Sequence, residues 1–228
     1  MKNYLISAFL LLFALSSLNA QECSSYIVSQ KGKTAEYANK NKKGKIQSYH
    51  SQELLKHEES DGVVHYEVLQ VTKDDKKEEI SRDTLIFECR NGTFYVDMSG
   101  YIDESQTEAY EESQISIDFE DIGYPANMKP GMQLEDGSVT LTIDMGMATI
   151  TNETKIINRK VEARESVTTP AGTFDCLKIS QEVENKLGFV TIKIKTVSWI
   201  SEGVGSVKSE SYDKKDRLTG TTELVSFK

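Results

Sequence analysis

Apolar and polar residues alternate along much of this chain. In 62–72 (GVVHYEVLQVT), Val64, Tyr66 and Val68 fall on one face of an extended segment and polar residues fall on the other. A period of two is typical of a half-buried strand. The same pattern predicts strands in three further segments, 138–150, 155–165 and 187–200.

About ten such segments follow one another at a spacing of roughly 8 to 15 residues, and this spacing favours an antiparallel meander over βαβ units. Hydrophobic residues make up 38% of the chain, which is low for a packed α/β enzyme and suits sheets with one face in water. The predicted fold class is therefore mainly β.

One region departs from the alternation. In 101–116, Ser105 is followed by Glu108 three residues later, a capping box that predicts a short helix. Residues 121–137 carry two of the three prolines, and they predict a long ordered connection. Long connections in compact domains often form rims or lids, and the sequence leaves open whether this one does.

Three lysine-rich turns share one plan. A short polar side chain opens each turn at Asn41, Asp75 or Asp213, two lysines occupy the tip, and an apolar residue resumes the strand. Gly44 can adopt the left-handed conformation that closes such a turn, and Asp216 can do so at some cost. We interpret the lysines as a solvated surface that keeps the strands from pairing with other molecules.

The stretch VTTPAGTFDCLKI, residues 167–179, looks at first like a catalytic loop. Pro170 and Gly172 occupy the second and fourth positions that a type I turn prefers, so the stretch predicts a hairpin. Thr168 and Thr169 then belong to the strand before the turn, where β-branched hydroxyl residues are common. Cys176 has no base nearby in the sequence, and a buried thiol is expected.

The first twenty residues have the layout of an export signal. Lys2 precedes an apolar run that is too short to span a bilayer, and a small-residue tail ends at Ala20. We predict cleavage near Ala20, a single β-rich domain over 21–228, and a periplasmic or secreted protein that does not span the membrane and is a monomer.

Charge argues against nucleic-acid partners. The whole chain carries −9, and removal of Lys2 with the signal gives −9 − 1 = −10. A field of this sign repels nucleic acids and anionic membranes.

No set of catalytic or metal-binding residues stands out. His50, His57 and His65 lack the spacing of a zinc site. The acidic residues Asp118, Glu120 and Asp121 lack the spacing of a calcium loop. Serine-hydrolase and phosphate-loop motifs are absent from the sequence, so we predict no enzyme activity, no metal and no cofactor.

The chain has three cysteines, Cys23, Cys89 and Cys176. An oxidising compartment permits one disulfide and leaves one thiol over. The sequence itself does not choose the pair, and all three could instead stay reduced and buried.

Several motifs carry a family resemblance. The stretch TTPAGTFDC and the later W-x-x-x-G-V-G-x-V-K, together with Cys23 and the turn around Gly44, resemble the TapB-like family of small exported bacterial proteins. This resemblance implies a curved antiparallel sheet or half-barrel with a helix or loop in its concavity, similar to the periplasmic lipoprotein carriers. It also implies a disulfide between Cys23 and Cys89, while Asp216 stands where the family usually has glycine.

Such a half-barrel would offer a concave apolar face, which suits a lipid, an acyl chain or a peptide. The candidate ligand-binding residues are Val190, Ile192, Ile194, Trp199 and Val204. The alternative is that these five are ordinary core residues. A second hypothesis is an assembly factor that docks another envelope protein through a sheet edge, and an enzyme is the third.

Overall fold

The computed structural model describes residues 23–101 and 114–228. These residues form one antiparallel sheet of thirteen strands and a single 3-10 turn, Met98–Tyr101. The strands are β1 Thr34–Asn41, β2 Ile46–Ser60, β3 Val63–Asp74, β4 Glu79–Arg90, β5 Thr93–Val96, β6 Gln114–Glu120, β7 Ile122–Pro125, β8 Gly137–Asp144, β9 Thr149–Thr169, β10 Gly172–Leu187, β11 Val190–Ser201, β12 Gly205–Tyr212 and β13 Leu218–Phe227. The predicted export signal and the capping box at Ser105 lie outside the described residues.

The sheet curls into a nearly closed barrel with a seam, which confirms the predicted mainly β, curved architecture. The strand order is β6-β8-β9-β10-β11-β12-β13-β1-β2-β3-β4-β5-β7. The two strands that end this order, β6 and β7, are separated in the chain only by Asp121. One stretch of backbone therefore pairs with β8 at one edge of the sheet and with β5 at the other.

The predicted long connection at 121–137 is shorter than expected. Residues 122–125 form β7, and only 126–136 connect it to β8. This connection runs along the free edge of β9, where the amide of Leu134 donates to the carbonyl of Arg159 and the amide of Val161 donates to the carbonyl of Met132. Met128 and Leu134 are buried against the sheet, so the connection is part of the core.

Three hydrophobic clusters share tyrosines and form one continuous interior. Tyr26 packs against the clusters centred on Phe94 and on Ile179, and Tyr124 packs against both of these and against the cluster around Met98. A fourth cluster shares neither tyrosine and contains Val28, Tyr37, Cys176, Trp199 and Leu224. The interior surface of the sheet can thus be identified from side chains that pack with Tyr26 or Tyr124.

The N-terminal segment before β1 closes one end of the barrel. Ile27 and Val28 are buried, and the amide of Gly203 in the β11–β12 turn donates to the carbonyl of Ser25. A disulfide joins Cys23 to Cys89 in β4, with the two Cα atoms 6.0 Å apart. This is the pair that the family resemblance implies.

The three lysine turns share one hydrogen-bond pattern. It corrects the sequence prediction at the residue that opens the middle turn. Asn41, Asp74 and Asp213 each accept two backbone N–H groups through the side chain, so the middle turn opens at Asp74 and not at Asp75. The left-handed position falls on Gly44, Lys77 and Asp216, with φ of 76°, 69° and 54°.

The stretch that resembled a catalytic loop is a hairpin, as predicted. Thr169 ends β9 and pairs with Gly172 at the start of β10. The hydroxyl of Thr169 accepts the amide N–H of Ala171, and the hydroxyls of Thr168 and Thr173 bond to each other across the strands. All of these polar groups serve the turn.

Candidate ligand-binding site

The structure divides the five predicted ligand-binding residues into two groups. The β10–β11 register is unbroken from Leu177↔Ile200 to Leu187↔Val190, so side chains alternate strictly between the two faces of β11. Ile200 belongs to the interior cluster that packs with Tyr26 and Tyr124. Val190, Ile192 and Ile194 have the same parity as Ile200, and they therefore line the interior face.

Trp199 and Val204 do not join this surface. Trp199 lies on the opposite face of β11, and both residues are buried in the separate cluster with Tyr37 and Cys176. The indole N–H of Trp199 donates to Glu165 at 2.6 Å, and the ammonium groups of Lys178 and Lys208 lie about 5 Å from its ring. For these two residues the structure favours the alternative, that they are ordinary core residues.

The interior face is exposed toward one end of the barrel. Along the interior side of β10 and β11, Ile179 and Ile200 are buried, whereas Ile194 is 38%, Ile192 55% and Val190 61% exposed. Leu187, which pairs with Val190, is also exposed. We call this end the open end; it is the end that carries the β8–β9 and β10–β11 turns.

The interior face at the open end continues across neighbouring strands as an apolar row, in which Leu141 is buried and Ile117, Leu187 and Val190 are exposed. Residues that pair directly in an antiparallel sheet share a face, and the registers align an apolar row of Ile117, Leu141, Asn152, Leu187 and Val190 across five strands. Asn152 is the single polar member of the row. At the tips of the two turns, Met147 and Phe189 are fully exposed.

Deeper in the barrel, the interior face becomes polar at Arg159. Asn158 and Arg159 together oppose Gln181, which is a β-bulge, and Asn158 adopts the left-handed φ of 55° that the bulge requires. The extra residue changes the phase of β9, so Ile156 and Arg159 both point inward and both are buried. The sequence interpretation missed Arg159, although the break in alternation at Asn158-Arg159 is visible within 155–165.

The guanidinium of Arg159 contacts both sides of the seam. Its Nη1 donates to the carbonyl oxygens of Gly123 in β7, at 3.2 Å, and of Glu135 before β8, at 2.5 Å. Its Nε donates to the side-chain oxygen of Gln181 at 3.4 Å, and the ring of Tyr124 lies 4.8 Å away. We call the interior side chains Leu187, Val190, Ile192 and Ile194 the apolar wall. Arg159 is the polar residue at the inner end of this wall.

None of the three histidines shares a strand with the free thiol or with the hydroxyl pair. Cys176 is buried, and desolvation, assisted by the charges of Asp175 and Glu165, raises the pKa of its thiol to about 11. A thiol with this pKa is a poor nucleophile at neutral pH. The histidines lie on β2 and β3, whereas Cys176 and the hydroxyl pair Thr168–Thr169 lie on β9 and β10.

A small polar cleft lies at the seam, with a volume of about 210 Å³. The guanidinium of Arg90 stacks 3.9 Å from the Tyr95 ring and pairs with Glu88 and Asp121. Asp121 also accepts the amide N–H of Met98. This cleft is smaller than the roughly 300–1,000 Å³ of ordinary ligand pockets, and its charges hold the seam together.

Residues 23–101 and 114–228 contain neither a cluster of metal ligands nor a membrane-spanning helix. No group of three or more His, Cys, Asp or Glu residues could hold a metal ion in that part of the chain. Within the same ranges, no helix has the length and apolar character needed to cross a bilayer.

Comparisons with known proteins identify the family and the fold. A family model described as DUF3108-like matches residues 30–224. A solved protein from Parabacteroides distasonis, described as a lipoprotein, shares 25% identity, with a TM-score of 0.73 over 91% of this chain and 100% of its own. No curated protein matches the sequence.

A second solved protein, from Bacteroides fragilis, is described as exported and as having a YmcC-like fold. It shares 20% identity, with a TM-score of 0.71 over 90% of this chain and 100% of its own. At this identity the likeness shows the fold alone. None of these matches carries the TapB-like name or the likeness to lipoprotein carriers, so both stay predictions.

Proposed function

This chain belongs to the DUF3108-like family, and from its geometry we propose that it is an exported, non-enzymatic binding protein for a hydrophobic ligand. The ligand would lie on the interior face of β10 and β11 at the open end. Lipids, acyl chains and extended apolar peptides all suit such a surface. The predicted export signal and the relatives described as exported or as a lipoprotein support a place in the cell envelope.

The proposal rests on one observation, the exposure of interior side chains at the open end. Val190, Ile192 and Leu187 belong to the face that forms the core elsewhere in the barrel, yet each is more than half exposed. Burying a fully exposed side chain of this kind contributes about 1.5–3 kcal/mol, so covering the exposed half or more of each contributes about 1–2 kcal/mol. A hydrophobic ligand on this wall would provide that burial.

The closed end supports the same proposal. The N-terminal segment, held to β4 by the Cys23–Cys89 disulfide, and the connection 126–136 fill the interior away from the open end. A ligand would therefore enter and leave from one side, between the β8–β9 and β10–β11 turns.

Native mass spectrometry of protein purified from its own host envelope tests the proposal. We expect additional mass that is lost after organic extraction, and we expect the extracted protein to bind a fluorescent fatty-acid analogue at one site. Extracted protein that binds no such analogue, lipid or apolar peptide would contradict the proposal.

A matched pair of variants locates the site. Ile192→Asp places a charge on the proposed wall, and it should weaken binding of the analogue at least tenfold. Ile80→Asp makes the same chemical change at an exposed isoleucine of β4, and it should bind as the wild type does. Equal binding by all three proteins would place the ligand elsewhere.

A second candidate function rests on the β6 strand. Among the described strands β6 pairs with β8 alone, and all seven of its residues are exposed. Such an edge can accept a strand from another envelope protein. Ser116→Pro would block strand addition at this edge, so loss of a cross-linked stoichiometric partner in this variant, with fatty-acid binding intact, would favour the assembly function.

A further inference from the structure

Arg159 differs from the other four arginines of the chain. Arg82, Arg90, Arg164 and Arg217 are exposed or partly exposed, and each pairs with a carboxylate. Arg159 is fully buried. Its hydrogen bonds all go to uncharged oxygens, and among the described residues its Nη2 has no hydrogen-bond partner.

Within residues 23–101 and 114–228, no carboxylate pairs with this buried guanidinium, which is unusual. Removing a charge from water is strongly unfavourable unless an opposite charge and further hydrogen bonds compensate, and buried charges in proteins are therefore paired. The carbonyls of Gly123 and Glu135 satisfy part of the hydrogen-bonding capacity of Arg159, but they carry no net charge. An anion at Nη2 would supply the missing compensation.

A second unpartnered polar atom lies one strand further along the sheet, on the other side of Gln181. Gln181, which contacts Arg159, pairs directly with Thr196 on β11, so the two side chains share the interior face. The hydroxyl of Thr196 is buried and, within the part of the chain that the structure describes, has no hydrogen-bond partner. Arg159 and Thr196 together offer an N–H and an O–H donor at the same level of the barrel.

The apolar wall begins at this level and leads to the open end. From Gln181 to Leu187 the interior face of β10 spans six residues, about 20 Å at roughly 3.3 Å per residue. Val183 on β10, with Ile194 and Ile192 on β11, lines the path. Asn185 on β10 also lies on it, and its side-chain amide is satisfied by a hydrogen bond to the hydroxyl of Thr154. The length and polarity of this path match a single extended acyl chain with one polar end.

We propose that the barrel binds a single-chain amphiphile whose anionic head, a carboxylate or a phosphate, pairs with Arg159 and Thr196. Its tail lies along the β10–β11 wall toward the open end. This assignment rests on the proposed function and adds the charge of the head group and its protein ligands.

Binding of three C12 probes by the extracted protein tests the assignment: dodecanoate, dodecyl phosphate and dodecanol. Titration calorimetry should show the wild type binding at least one of the two anions at least tenfold more tightly than the alcohol, since a hydrogen bond to a charged group is stronger than one to a neutral group. The better of the two anions identifies the head group. Equal affinity for all three probes would overturn the assignment and leave the hydrophobic-ligand function standing, and no binding at all would overturn both.

Variants then test the residues. Arg159→Met should reduce the ratio of anion affinity to dodecanol affinity to near one. Arg164→Met changes an exposed arginine of the same strand and should leave this ratio unchanged. Because Arg159 also holds the seam, its variant must first be shown to be folded by circular dichroism. Thr196→Val removes only a hydroxyl and should lower the anion preference several-fold; an unchanged preference in this variant would exclude Thr196 from the site.

The carboxyl of carbon-13-labelled dodecanoate gives a readout in the unmodified protein. Beside a buried guanidinium, the bound carboxyl should titrate at a lower pH than the same acid in water, because the cation stabilises the ionised form. A bound carboxyl that titrates at the same or a higher pH would contradict contact with Arg159.

Discussion

Arg159 in β9 donates a hydrogen bond of 3.2 Å to the carbonyl oxygen of Gly123 in β7. In the strand order, β9 lies near one edge of the sheet and β7 lies at the other. The two residues are 36 positions apart, and no strand pairing connects them. The Arg159 side chain therefore links two strands that the backbone hydrogen bonds of the sheet leave unconnected at the seam of the barrel.

Gly137 at the same seam should be intolerant of any side chain. A Cβ at this position would lie 2.4 Å from the Ile122 side chain and 2.8 Å from the carbonyl oxygen of Glu120. Gly137→Ala should lower the free energy of unfolding by about 2 kcal/mol, because the crowding must be relieved by backbone movement. Urea unfolding measures this, and the neighbouring Ser138→Ala is the control; equal stability of Gly137→Ala and wild type would contradict the packing at the seam.

The lysine turns predict opposite effects for reciprocal substitutions. Asp216 and Gly44 occupy the same left-handed position in two turns. Asp216→Gly should raise the free energy of unfolding by about 1 kcal/mol, because it removes the steric cost of this conformation for a side chain. Gly44→Asp should lower it by a similar amount. Thermal unfolding of both variants checks the pair, and changes of the same sign would refute it.

His50 should make the protein less stable in mild acid. Burial lowers the pKa of its imidazole to about 4, from an ordinary value of 6.5. It stacks on Tyr37 with ring centroids 4.5 Å apart. Because the unfolded chain binds this proton more readily, the stabilisation is complete above pH 6.5 and is lost as the pH falls to about 4. The loss attributable to His50 is about 3 kcal/mol.

Urea unfolding of the wild type and of His50→Gln across this pH range isolates the histidine. The variant should retain the acid sensitivity of the carboxylates and lose the component between pH 6.5 and 4. If both proteins show the same pH dependence, the burial of a neutral His50 is wrong.

The Cys23–Cys89 disulfide should contribute strongly to stability. It closes a loop with a sequence separation of 66 residues, and the chain-entropy model assigns about 4 kcal/mol to a loop of this size. The double variant Cys23→Ser/Cys89→Ser should show that loss in denaturant unfolding. Cys176→Ser is the control for the free thiol, and reductant should destabilise this variant as much as it destabilises the wild type. If reductant does not change the stability of the wild type, the prediction is refuted.

Local chemistry accounts for the parts of the fold that the sequence predicts well. The alternation in 62–72 and 187–200 corresponds to β3 and β11, because the pleat of a strand places successive side chains on opposite faces. The hairpin at Thr169–Gly172 and the lysine turns follow from turn chemistry within four or five residues. The middle turn was predicted to open at Asp75 and opens at Asp74, because the two adjacent aspartates are chemically identical in the sequence.

The sequence by itself determined an antiparallel sheet, its turns and the alternation of side chains along β11, because each depends on neighbours along the chain. Only the tertiary structure decided that Asp121 marks the seam, that Trp199 and Val204 are buried in the core whereas Ile192 is exposed, and that Arg159 is buried. Those outcomes depend on sheet closure and on a bulge at Asn158 that shifts the phase of β9. Closure brings together residues such as Gly123 and Arg159, and no periodicity along the chain encodes that contact.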